Sequence, residues 1–170
     1  RRAKLHSKRP DIPKDPHSSI PSLMRIFLQL CQATAYAHSK GVLHRDLKPE
    51  NVIVGTYGQV LILDWGLATL INSDADEQLP EIQEPHHAKI TRLGKVVGTV
   101  AYMAPERAFG AKANIQTDIY SLGVVLYQIL TLSTPFLRKN LKEFKQSWHT
   151  EQLQSPELIA PYREVPQILS

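Results

Sequence analysis

Within eight positions, from His44 to Asn51, the chain carries an imidazole, a guanidinium, a carboxylate, an ammonium and a carboxamide: His44-Arg45-Asp46-Leu47-Lys48-Pro49-Glu50-Asn51. Packing alone does not select such a mixture. The apolar run Val52-Ile53-Val54 follows at once, so the cluster is expected to be anchored against a core. Thirteen residues after Asn51, at the end of a second apolar run (Val60-Leu61-Ile62-Leu63), stands Asp64-Trp65-Gly66. A carboxylate at the end of an apolar strand, as Asp46 and Asp64 both are, can accept a proton or hold a hard cation. Magnesium takes oxygen ligands, commonly one or two carboxylates together with substrate phosphates. The Asn51 carboxamide adds a third oxygen, and Lys48 offers positive charge to a phosphoryl group. These types suit metal-assisted phosphoryl transfer, where positioning and charge stabilisation supply most of the catalysis. A glycosidase-like carboxylate pair is a second chemistry for Asp46 and Asp64, but it gives Lys48 and Asn51 no task. No Gly-x-Ser-x-Gly nucleophile elbow occurs.

These residues need elements to hold them. Residues 1–21 open with Arg1, Arg2, Lys4, Lys8 and Arg9, then bring Pro10, Pro13, Pro16 and Pro21. Prolines so spaced forbid a continuous helix, so a basic, proline-rich linker is expected. From Ser22, a capping type, the residues Leu23, Ile26, Phe27, Leu30, Thr34 and Ala37 recur at helical steps, and Gly41 fits a C′ position. This predicts a helix over 22–39, with Cys31 as a small buried hydrophobe and His38 as a structural residue. Val42-Leu43 reads as a short strand. Residues 52–54 and 60–63, joined by Gly55-Thr56-Tyr57-Gly58-Gln59, predict a hairpin that carries Asn51 close to Asp64.

Residues 67–97 read as a long irregular segment, acidic through Asp74, Asp76, Glu77, Glu81 and Glu84. His86-His87 within it lacks metal-ligand spacing. A short helix and loop are expected over 107–116. Asp118 is expected to cap or open a helix through Ile119, Leu122, Val125, Leu126, Ile129 and Leu130, buried on most sides. Short helices are expected beyond Pro135-Phe136, with another starting near Val165.

The 170 residues are 42% hydrophobic and 21% charged with a net charge of +4, the profile of an ordinary globular domain with a mild basic excess. No basic stripe with interleaved aromatics points to nucleic acid. The single cysteine excludes an internal disulfide. No run of 18 apolar residues would span a membrane, and no signal peptide is read at the start. The chain opens on Arg1 rather than Met, so it is expected to be a piece of a longer one.

His44-Arg45-Asp46-Leu47-Lys48-Pro49-Glu50-Asn51 resembles the protein-kinase catalytic loop H-R-D-L-x-x-x-N, and Ala104-Pro105-Glu106 the A-P-E motif, with Asp64-Trp65-Gly66 in between where D-F-G belongs. The resemblance is clear over residues 22–136. It implies a mainly α fold with a small β-hairpin, the C-terminal lobe of a serine/threonine protein kinase, with the catalytic loop at 44–51 and the activation segment at 64–106. It implies Asp46 as the catalytic base, Lys48 as the lysine that steadies the transferred phosphate, and Asn51 and Asp64 as magnesium ligands. Thr99 resembles the threonine that shapes the substrate loop. Arg45 resembles the arginine through which activation-loop phosphorylation acts, with Thr91 as acceptor and Thr69 and Ser73 as weaker ones. Glu106 resembles a glutamate that pairs with an arginine near the domain's end, an arginine expected to lie past residue 170. Asp118 resembles the aspartate that ties the central helix to the catalytic loop, and His44 becomes structural. The implied cofactors are ATP and Mg²⁺, with Mn²⁺ as a substitute. The implied partners are proteins bearing Ser or Thr, including a second kinase in autophosphorylation, and the implied compartment is the bacterial cytosol.

Trp65 in place of Phe, with Gly58-Gln59-Val60 before it, resembles the eukaryotic-like kinases of bacteria, especially the chlamydial PknD type and planctomycete relatives. No Gly-x-Gly-x-x-Gly, no Val-Ala-Ile-Lys-like strand and no partner glutamate occur. The chain therefore reads as a kinase C-terminal lobe cut at both ends, with the N-terminal lobe and its nucleotide clamp outside it. An inactive fragment or a pseudokinase-like protein-binding scaffold is the alternative. A small antibiotic-kinase type of phosphotransferase is disfavoured by Gly98-Thr99 and Ala104-Pro105-Glu106, which in the protein kinases build a peptide-binding shelf.

Overall fold

The computed structural model describes residues 19–71, 100–161, 163, 165, 166 and 169. Helix α1 runs over Ile20–Ser39. Its cap is Ser19, whose Oγ accepts from the Ser22 amide at 3.4 Å, so the helix starts earlier than the sequence predicts. Pro21 lies in the first turn rather than in a linker; the amide it lacks would have no helical partner there. The chain leaves α1 through Gly41, whose φ of +75° suits a residue without a side chain. Leu30 and Thr34 are the buried part of the predicted stripe, and Phe27 and Cys31 pack against the same core. Burial pushes the Cys31 thiol above its ordinary range, which makes it inert packing material.

Strand β1 (Val42–Leu43) enters the polar cluster. Strands β2 (Val52–Val54) and β3 (Val60–Ile62) form the predicted hairpin, in antiparallel register Val52 to Ile62, Ile53 to Leu61 and Val54 to Val60. Its loop closes with Gly58 at φ +80°, and the Gln29 side chain of α1 donates to the Gly58 carbonyl at 3.0 Å. Strand β4 (Thr69–Leu70) pairs back onto β1, Leu43 opposite Thr69, in a ladder the sequence did not suggest. Two-residue strands are too short to display a period.

Helix α2 (Pro105–Ala108) begins at the proline, before the predicted 107, and ends before Gly110. Helix α3 (Ile115–Thr131) is capped by Asn114, in a reciprocal box with Thr117. Asp118 is therefore not the cap but a fully buried side chain in the first turn. The helix is buried on most sides, as expected: Leu122, Val124, Val125, Tyr127 and Leu130 face the core, while Ile119 is exposed. Helix α4 (Leu141–Ser147) is capped by Asn140, whose Oδ1 accepts from Glu143, and α5 (Pro156–Ile159) follows. The helix expected from Val165 falls largely outside the described residues, as does the linker over 1–18.

The main core joins Leu30, Leu47, Tyr102, Leu122, Val124 and Val125. A second cluster of Val100, Ala108 and Phe144 lies beneath α2 and α4, with Met103, Leu141 and Trp148 around it. Among the described residues no helix is long and apolar enough to cross a membrane.

Burial, with the Glu50 carboxylate adding to it, pushes the Tyr102 phenol up to about 12, against the lowering effect of its hydrogen bond to Gln128. An unfolded tyrosine ionises near about 10, so between there and the folded value the native state holds the extra proton. Stability is expected to fall as pH climbs through that window, by at most about 1.4 kcal/mol per pH unit for one group. Urea titrations at several alkaline pH values should show a shallower fall for Tyr102→Phe. Part of the slope should survive, because burial also raises the Tyr120 and Tyr127 phenols.

Candidate active site

The site begins with a buried carboxylate. Asp118 Oδ2 accepts the His44 amide at 2.9 Å, and Oδ1 accepts the Arg45 amide at 2.8 Å. The His38 ring, in the last turn of α1, meets the same Oδ2 at 2.8 Å. One side chain thus joins α1, α3 and the loop after β1. Arg45 has a φ of +72°, a left-handed conformation that costs a non-glycine residue energy and persists only where neighbours enforce it. The Asp118 bond to its amide is such an enforcement.

His44 is buried, and its hydrogen bonds define its proton. Nδ1 accepts from the Asp46 amide at 3.3 Å and so carries no hydrogen. Nε2 faces the Leu63 carbonyl at 3.0 Å and must donate. The network therefore assigns a neutral ring with its proton on Nε2, a ring whose nitrogens are both committed to backbone. The ring also meets Trp65 edge-on at 4.7 Å, and the Trp65 indole N–H donates to the Ile62 carbonyl at 3.0 Å, a bond that phenylalanine could not make.

Beyond this turn three predicted residues come into direct contact. Asp46 Oδ2 accepts from Lys48 Nζ at 2.6 Å and from Asn51 Nδ2 at 3.0 Å, and the Asp46 carbonyl accepts from the same Asn51 nitrogen at 2.7 Å. All three side chains are at least nine-tenths buried. A 3₁₀ turn over Pro49–Asn51 bends the chain so that Asn51 folds back on Asp46. The hairpin then returns the chain, and the Leu63 amide donates to the Asn51 carbonyl at 2.8 Å. Asp64 follows with φ +58°, at the head of a 3₁₀ turn over Trp65–Leu67. A Cβ at Gly66 would stand 3.2 Å from Asp64 Oδ1, so glycine makes room for that carboxylate.

The donor set fits a hard cation. With the Asn51 nitrogen committed to Asp46, its amide oxygen is the atom left to offer, and Asp64 adds carboxylate oxygens. Oxygen donors of this kind suit Mg²⁺. Thr91, Thr99 and Ser73 lie outside the described residues, with the whole of 72–99. Thr69 sits in β4 opposite Leu43. Glu106 occupies the first turn of α2. The buried Arg138 pairs with Glu151 at 2.7 Å. Sequence reasoning missed Arg138 and gave His38 no partner; only the position of His38 at the end of the apolar stripe hinted at a fixed place.

Residues 12–168 match the model of the protein kinase domain, and the chain belongs to the protein kinase family. Its relatives place it in the branch that Trp65 suggested. It is similar to the serine/threonine-protein kinase PknD of Protochlamydia amoebophila (strain UWE25), 58% identical over 174 aligned residues that cover 100% of this chain and 18% of that protein. PknD of Chlamydia felis (strain Fe/C-56) is 46% identical over 165 residues, 94% of this chain and 17% of the relative. PknD of Chlamydia trachomatis serovar D is 41% identical over 161 residues, 90% of this chain and 17% of the relative. The chain thus spans less than a fifth of the length of the curated relatives it matches.

Replacing Asp118 by alanine would strand two backbone donors in a buried site, at about 1–3 kcal/mol for each. A lower urea midpoint is expected, with faster hydrogen exchange at the His44 and Arg45 amides than elsewhere. Unchanged exchange at these two amides would count against the anchor.

Proposed function

We propose that these residues are the catalytic-loop side of a serine/threonine protein kinase, the C-terminal lobe, and that the intact protein transfers the γ-phosphate of ATP to Ser or Thr hydroxyls of proteins. The observation that carries this reading is the convergence of Lys48 and Asn51 on one oxygen of Asp46. Asp46 orients the acceptor hydroxyl and takes its proton as the oxygen bonds phosphorus and ADP leaves. Lys48 shifts part of its charge from Asp46 to the transferring phosphoryl group. Asn51 and Asp64 would hold Mg²⁺, which supplies charge neutralisation on the phosphates. Thr99 shapes the shelf for the acceptor peptide, and phosphate on Thr91, placed there by a second kinase molecule, pairs with Arg45 to order the activation segment. The setting is the bacterial cytosol.

In the intact protein, Asp46→Asn is expected to lower phosphotransfer to a protein substrate by about a hundredfold or more, the usual contribution of a positioned base. Asn51→Ala and Asp64→Ala are expected to raise the Mg²⁺ concentration needed for half-maximal rate. Transfer of labelled γ-phosphate from ATP measures both, and an Asp46→Asn protein as active as the parent would overturn the reading. The 170 residues contain no glycine-rich loop and no strand lysine. Expressed alone they should transfer almost no phosphate.

A further inference from the structure

Arg138 lies just past the Pro135-Phe136 turn, and its side chain is fully buried. Charged groups rarely occupy such a place without a complete set of partners. Here every guanidinium nitrogen has a partner. Nε donates to Glu151 Oε1 at 3.1 Å and Nη2 to Oε2 at 2.7 Å, a two-pronged pair. Nη2 also reaches the Tyr120 hydroxyl at 3.1 Å. The guanidinium stands 3.6 Å from the centroid of the Phe144 ring and 4.6 Å from that of Phe136. The remaining nitrogen, Nη1, does something different: it donates to the Met103 carbonyl at 3.1 Å.

Met103 belongs to the stretch that ends in Ala104-Pro105-Glu106, and that stretch is held from several sides. Ser121 of α3 donates to the Tyr102 carbonyl at 2.9 Å. The Tyr102 hydroxyl bonds Gln128, also on α3. From below, Val100 and Ala108 rest on Phe144 of α4. Helix α3 thus fixes Tyr102 and α4 supports the floor. The next carbonyl along, that of Met103, is fixed by Arg138. A planar fork can hold Glu151 and a carbonyl in two directions at once; a lysine ammonium in the same space cannot keep that geometry.

We propose that Arg138 is a positioning residue for the acceptor peptide: it locks the Met103 carbonyl and so sets the height of the peptide shelf, without acting on ATP. This rests on the kinase reading above. Loss of the fork should let residues 102–107 move while the catalytic loop, anchored separately on Asp118, stays in place.

The test uses Arg138→Met and Arg138→Lys in the intact protein, with two readouts. Hydrogen exchange should speed up at the Met103, Arg107 and Ala108 amides, with those of α1 and α3 unchanged. Steady-state kinetics should show KM for an acceptor peptide rising about tenfold, as the loss of one charge-assisted hydrogen bond would give. KM for ATP and kcat should stay within about twofold. Arg138→Lys should fall between Arg138→Met and the parent. Exchange that accelerates uniformly would show Arg138 to be a general stabiliser and overturn the proposal, as would a loosened shelf with unchanged peptide KM. If the parent protein transfers no phosphate, the kinase reading fails and the peptide role with it, while the exchange pattern still decides whether Arg138 holds the loop.

Discussion

The carboxylate of Asp118 is the constraint on which the rest of the site depends. It is fully buried, and a carboxylate in that position survives only if both its oxygens are hydrogen-bonded. Two backbone amides and an imidazole answer it, from the loop after β1 and the last turn of α1. The arrangement works in both directions. The loop amides stabilise the carboxylate, and the carboxylate fixes a turn in which Arg45 adopts a left-handed conformation. That turn sends His44 inward to the backbone of Leu63 and presents Asp46 to Lys48 and Asn51. Remove the anchor and the unfavourable φ at Arg45 has less to oppose its relaxation.

The polar cluster was legible because it is contiguous. Asp46, Lys48 and Asn51 lie within one loop, so their contact needs only a local bend, and their residue types already name a chemistry. The hairpin was legible too, since two β-branched runs around a glycine-containing loop have few other options. What could not be read were pairings between distant segments. Asp118 lies 74 residues from His44, and only the family resemblance linked them. Helix starts were misplaced for a related reason. Ser19 and Ser22 are both capping types, as Asn114 and Asp118 are, and the choice depends on which residue the chain leaves extended. Arg138 was invisible because an arginine beside Lys139 reads as solvated surface, and its burial is decided by Phe144, Phe136 and Glu151 together.

The two halves of the site are ordered by different contacts. The loop over 44–51 is held by hydrogen bonds to one buried carboxylate and by Leu47, which packs in the main core. The segment over 100–108 is held by packing on Phe144 and Tyr102, with polar bonds fixing individual carbonyls. Changes in the apolar floor around Phe144 should therefore disturb the segment over 100–108 first, and loss of the Asp118 carboxylate the loop over 44–51 first.

Both halves nevertheless meet on α3, which reaches the loop over 44–51 through Asp118 and Tyr102 through Ser121 and Gln128. The helix is in effect a ruler. Ten residues from Asp118 to Gln128 correspond to about 15 Å of axial rise, and each residue turns the helix by about 100°. The spacing between the loop that carries Asp46 and the stretch that leads into Ala104-Pro105-Glu106 is thereby quantised. A single residue inserted between Asp118 and Ser121 would leave every contact chemically available and put the two halves out of phase.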